Sequence, residues 1–72
     1  MITVTHNTEL MVAGVTGDGE ADIDFIDGYG LVTDPATLHV QDSGYIIIAE
    51  RDIDTLVATA RKRGLDVEVE KH

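Results

Sequence analysis

The chain is 72 residues long, contains no cysteine and carries a formal net charge of −9. That length suits a single domain with a small core, because a chain of this size buries only about 60% of the surface it exposes when unfolded. Without cysteine there are neither disulfides nor thiolate metal sites, and His6, His39 and His72 lack the close spacing of a zinc site. Of the staples that usually support so small a domain, oligomerisation is the one left.

Acid-rich chains are often disordered, but those are poor in apolar residues. Here 43% of residues are hydrophobic, so a folded domain with a carboxylate surface is expected. Such a surface repels itself in dilute buffer. At molar salt the screening length falls to about 3 Å and the penalty largely vanishes. Nine Asp and five Glu against two Lys and three Arg resemble the composition of proteins from salt-loving archaea and their viruses. Residues 1 to 50 hold nine acids and no Lys or Arg, whereas residues 51 to 71 hold all five basic residues and five acids. The segment from Met1 to His6 has no basic residue and does not read as a secretory signal. The longest apolar run, Tyr45 to Ala49, is far short of the roughly 20 residues of a membrane span. A soluble protein with no membrane contact is expected.

Ile2 and Val4 alternate with Thr3 and Thr5 as a strand, broken at His6-Asn7-Thr8. Leu10 to Val15 reads as a second strand, with Gly17-Asp18-Gly19 as a hairpin loop after it. Ala21, Ile23 and Phe25 then alternate with Glu20, Asp22 and Asp24, predicting a strand with one apolar and one acidic face. Asp27-Gly28 is a strong two-residue hairpin signal. Pairing about that turn sets Ile23 opposite Val32 and Phe25 opposite Gly30. It leaves Ile26, Tyr29 and Leu31 as an apolar cluster on the wet side, to be covered by this chain or by a partner.

Asp34-Pro35 ends that strand, leading either to a helical turn or to a short strand over Leu38 to Val40. Gln41 to Gly44 is a turn and Tyr45 to Ala49 a buried strand. One helix is well marked: Asp52 as its N-cap, Asp54 in the first turn, and Ile53, Leu56, Val57 and Ala60 as the buried stripe. Arg61, Lys62 and Arg63 fall in its last turn, Gly64 supplies a left-handed cap and Leu65 folds back on the helix end. A final strand covers Asp66 to Glu70, with Val67 and Val69 inward. The expected fold class is α+β, a mostly antiparallel sheet of hairpins with one helix near the C-terminus followed by a final strand.

Candidate chemistry is sparse. Neither register of the acidic run Asp18, Glu20, Asp22, Asp24 and Asp27 matches a calcium loop, which needs Gly at its sixth position and Glu at its twelfth. Ser43 lies in an ordinary turn, the glycines are spaced as turn glycines, and no cleft for acid–base chemistry is evident. No catalytic residue, cofactor or metal is expected. Direct nucleic-acid binding is disfavoured because phosphate neutralisation needs a basic stripe, although rows of carboxylates can imitate a phosphate backbone.

The stretch Phe25-Ile26-Asp27-Gly28-Tyr29-Gly30-Leu31-Val32-Thr33-Asp34-Pro35 resembles a recurring pattern in short virion proteins of tailed phages. In it an aromatic strand ends in a Gly turn and a second strand runs to Asp-Pro. The resemblance implies a minor head, decoration, adaptor or tail-associated subunit. In that pattern a helix follows Asp-Pro at once, whereas here Ala36 to Ala49 inserts a turn and a strand, and no functional residue is carried over. The expected function is a structural subunit of a larger assembly, a small virion protein of a haloarchaeal tailed virus. Its partners are further copies or other virion subunits, and Ile26, Tyr29 and Leu31 form the contact surface. The alternative is an acidic regulatory binding module of a halophile, acting as a cellular adaptor or nucleic-acid mimic. The first reading places the protein in the virion, the second in the cytoplasm of a halophilic archaeon.

Overall fold

Alternation of apolar and hydroxyl side chains builds the first hairpin. In the computed structural model, which describes residues 1–32, 38–39 and 44–71 (side chains of 30–32 and 38–39 excepted), β1 spans Ile2–Asn7 and β2 spans Val12–Gly17. They pair antiparallel with Val4 opposite Val15. The loop between them is held by the Leu10 N–H donating to Asn7 Oδ1 at 3.0 Å, and by Met11 in the left-handed region at φ 60°.

The chain then departs from the sequence expectation. Residues 20 to 32 form no hairpin; they are a helix, α1, Glu20–Val32. Its first turn closes through the Ile23 N–H donating to Gly19 O at 2.9 Å, with Glu20 and Asp22 where carboxylates favour the helix dipole. Read at helical spacing, Asp22, Phe25, Ile26 and Tyr29 recur at i, i+3, i+4 and i+7 and make the inward stripe. The period-2 reading picked out Ala21, Ile23 and Phe25 instead, and of these Ala21 is exposed.

Packing decides between the two periods. Five strands at about 4.8 Å spacing make a sheet roughly 20 Å wide, while a helix covers about 10 Å, so a single helix would leave half the sheet bare. Gly28 and Gly30 each disfavour a helix by about 1 kcal/mol relative to Ala. Burial of Phe25 and Ile26, worth about 1.5–3 kcal/mol each, offsets that. Asp27, expected in a hairpin turn, instead accepts a hydrogen bond from the Gly44 N–H at 2.8 Å and ties α1 to the start of the next strand. Gly44 sits at φ +80°, and a Cβ there would lie 2.9 Å from Ile23 Cγ1.

β3, Leu38–His39, pairs antiparallel with β4, Tyr45–Ala49. The expected features at Asp34-Pro35, Val40 and Gln41 to Ser43 lie outside the described residues. A single 3-10 turn, Glu50–Asp52, leads into α2, Ile53–Lys62, whose buried residues are Ile53, Leu56, Val57 and Ala60 as expected. Asp52 stands at the N-cap position but makes no side-chain cap bond. The C-terminus closes as a Schellman motif: the Leu65 N–H donates to Ala60 O at 3.1 Å and the Gly64 N–H to Arg61 O at 3.0 Å, with Gly64 at φ +81°.

β5, Val67–Lys71, completes a five-stranded sheet in the order β3-β4-β2-β1-β5. The fold class is α+β, and the helix-then-strand ending matches the sequence. The sheet is mixed: three of its pairings are antiparallel, and β5 lies parallel to β1. That parallel pair follows from the crossover through α2, since parallel strands cannot be joined by a tight turn. Ile2, Val4, Ala13, Val15, Ile46 and Ile48 occupy one face of the sheet and are fully buried against Phe25 and Ile26 of α1 and Leu56 and Ala60 of α2.

Candidate functional site

Because side chains alternate across a strand, fixing one face fixes the other. The face away from the buried core carries Thr3, Thr5 and Asn7 from β1, Val12, Gly14 and Thr16 from β2, and Tyr45, Ile47 and Ala49 from β4. Register sets them in rows of Asn7–Val12–Ala49, Thr5–Gly14–Ile47 and Thr3–Thr16–Tyr45. Eight of these nine residues are half-buried and Thr16 is exposed. None carries a charge, in a chain whose formal charge is −9. The acids resume on β5, where Glu68 lies beside Thr3 and Glu70 beside Thr5. Across the sheet the face therefore grades from carboxylate through hydroxyl to apolar.

Gly14 gives this face its relief. The Tyr45 side chain lies across it, so a Cβ on Gly14 would stand 3.1 Å from Tyr45 Oη. A shallow groove of 210 Å³ remains, lined by Thr5, Asn7, Val12, Gly14, Tyr45 and Ile47.

A larger cleft of 430 Å³ opens on the helix-covered side, between α2 and the β1–β5 edge. His6 Nε2 lies 2.7 Å from Glu50 Oε2 at its head. A carboxylate only accepts, so neutral His6 carries its proton on Nε2 and leaves Nδ1 as an acceptor. Ile53, Val57 and Val69 form an apolar floor, and Asp54, Arg61 and Lys71 stand around it. Among the described residues no Ser, Thr or Cys lines the cleft beside the His6–Glu50 pair. Among the described residues no three His, Asp or Glu side chains converge in a way that could hold a metal ion.

At the other end of β1, the Met1 ammonium lies 2.6 Å from both Asp18 Oδ1 and Asp22 Oδ2. Asp22 is buried, and this ammonium supplies its charge partner. Hydrogen bonds to the two carboxylates raise the Met1 amino group from 8.0 to about 10, and the same contact holds the Asp18 carboxyl below its ordinary range.

The residues expected to form a contact surface, Ile26, Tyr29 and Leu31, all fall on α1. Ile26 is fully buried beneath α1, so this chain itself covers it. Tyr29 is half-buried against the core, its ring centroid 5.8 Å from that of Phe25. Leu31 falls in the last turn of α1, and its side chain lies outside the described residues. The strand–turn–strand element behind the resemblance at Phe25 to Val32 is helical. His6, which sequence reasoning left unassigned, finds a carboxylate in Glu50. A signal for the open face was present: residues 1–8, 10–17 and 43–49 contain no charged side chain. Among the described residues no helix is long and apolar enough to cross a membrane. Comparison with protein-family models, curated proteins and solved structures finds no match for this chain.

Proposed function

We propose that the chain is a structural, protein-binding subunit of a larger assembly, with the open face of its sheet as the contact surface. The observation that carries this reading is the block of nine uncharged positions across β1, β2 and β4. Two copies at −9 each repel through any surface that brings carboxylates together. The open face is where a second copy can approach without doing so, its threonines and Tyr45 offering hydrogen bonds and Val12 and Ile47 apolar area. The face is small: roughly 15 Å by 20 Å from the spacing and length of three strands, below the 800 Å² or so that each partner contributes to a standard interface. A subunit held by several such contacts suits a multi-copy shell better than an isolated tight dimer.

The setting we propose is the virion of a haloarchaeal tailed virus, in line with the acid-rich composition. Molar salt screens the carboxylates of neighbouring copies while strengthening apolar burial for salts that are excluded from protein surfaces. Absolute mass by light scattering, in molar potassium chloride and in dilute buffer, tests the reading. A multimer in high salt that dissociates in dilute buffer is the expected result. A folded monomer in both would overturn it and favour the acidic binding module.

A further inference from the structure

β5 ends the strand order, so its outer edge has no partner strand among the described residues. The hydrogen-bond phase shows which groups that edge presents. The Ile2 N–H donates to Asp66 O at 2.8 Å, which turns the backbone of residues 66, 68 and 70 toward β1. In a parallel pair the alternate residues then turn outward: Val67, Val69 and Lys71. Arg61 Nη2 reaches Val67 O at 3.4 Å, leaving the Val67 N–H, Val69 and the Lys71 N–H as the open part of the edge. The side chains of Val69 and Lys71 line the 430 Å³ cleft, facing Ile53, Val57 and Arg61, which stand at i, i+4 and i+8 along α2. Val69 is 41% exposed, an aliphatic side chain at the mouth of an apolar floor.

Charge indicates what could fill the groove. Among the described residues no carboxylate pairs with Arg61 or Lys71, although the chain has 14 acids. Two of its five basic side chains thus line one cleft without an ion pair among the described residues; of the two carboxylates there, Glu50 is engaged by His6 and Asp54 makes no such pair. We propose that an extended segment of a partner protein adds to β5 as a further strand. In this arrangement its backbone bonds to Val69 and Lys71, an aliphatic side chain lies on Ile53, Val57 and Val69, and a carboxylate meets Arg61 and Lys71. A second copy of β5 fits less well, because edge-to-edge pairing brings Glu68 and Glu70 alongside their own counterparts. The groove is a different surface from the open face, so this inference does not depend on the proposed assembly contact.

The probe is a synthetic peptide of about six residues, a usual strand length, alternating valine and threonine with one glutamate. It is prepared with a free or an amidated C-terminus and titrated into the whole chain while amide hydrogen exchange is followed. Binding should slow exchange at Val69 and Lys71, and an affinity lost on amidation assigns the anion to the terminal carboxylate rather than the glutamate. Val69→Pro removes an outward N–H without taking an internal sheet bond, and should weaken binding by about tenfold or more. Arg61→Ala with Lys71→Ala, both at exposed positions, should weaken it comparably. Unchanged exchange at Val69 and Lys71 at saturating peptide would overturn the proposal, as would full affinity in both variants. Protection of the same amides by self-association, with no effect of peptide, would also overturn it by assigning the edge to a second copy. Substitutions on the open face should leave peptide binding unchanged, so the two readings fail separately.

Discussion

Ile46, Ile47 and Ile48 are consecutive in β4, yet they belong to two different surfaces. Ile46 and Ile48 are fully buried beneath the helices, whereas Ile47 is half-buried on the open face beside Thr5 and Gly14. The same contrast runs through the sheet: Ile2 and Val4 against Thr3 and Thr5, Ala13 and Val15 against Val12 and Gly14. One face is closed by α1 and α2 and supplies the stability of the domain. The other is uncharged and, among the described residues, uncovered. In a protein so acidic, keeping carboxylates off three adjacent strands is a property of surface that hydropathy alone does not reveal. It implies that the two faces respond to substitution in different observables, one in folding and the other in association.

The sharpest way to break this comparison is to truncate neighbours. Ile48→Ala should cost about 2–5 kcal/mol in urea denaturation, the usual range for emptying a packed site, and Ile47→Ala about 1 kcal/mol or less. Equal losses would show that something covers the open face. Gly17→Ala comes next. A Cβ there would stand 2.6 Å from Asp22 Cβ and 3.1 Å from Ile26 Cδ1, so α1 must lift from β2, at a cost of about 1–3 kcal/mol by the same assay. Gly14→Val sits on the opposite face. It should displace Tyr45 and fill the groove, altering association more than the melting temperature.

The smallest expected effect is electrostatic. The Met1 ammonium has its pKa raised from 8.0 to about 10, so its contribution is complete below pH 8 and lost as pH rises through 10. Asp18 has its pKa lowered, so its contribution holds above the ordinary carboxylate value of 3.8 and disappears as pH falls below it. Denaturation midpoints at pH 7 and pH 10.5 or so should differ in that sense, and acetylating the α-amino group should remove the alkaline part. Both groups are exposed, so the shift should be small.

The contrast between the two helices shows which features of the fold were legible in the sequence. α2 carries a polar start, a clean 53/56/57/60 stripe and a Gly64 stop, and it was read within a residue of its observed ends. α1 has no such punctuation. Its acids and apolar residues alternate over Glu20 to Phe25, which satisfies period 2, and Asp27-Gly28 imitates a hairpin turn. The 22/25/26/29 stripe was present, but one of its members is Asp22, a carboxylate that is buried where the Met1 ammonium meets it. That compensation is tertiary and leaves no local trace. The strands β1, β2, β4 and β5 were each found within two residues, yet the parallel pairing of β5 with β1 depends on the crossover direction of α2. The expected contact cluster at Ile26, Tyr29 and Leu31 went with the hairpin reading, while the open face could be identified only once register set the uncharged positions side by side.

The central claim, that the open face of the sheet is the contact surface, is tested most directly by Ile47→Asp. Its mass by light scattering in molar potassium chloride should be measured beside the unsubstituted chain, with circular dichroism to confirm that both are folded. A monomer for the variant and a multimer for the parent is the predicted result. An unchanged multimer would contradict the account, because a carboxylate at Ile47, at the β4 end of the middle Thr5–Gly14–Ile47 row, cannot be buried in a contact without a partner charge.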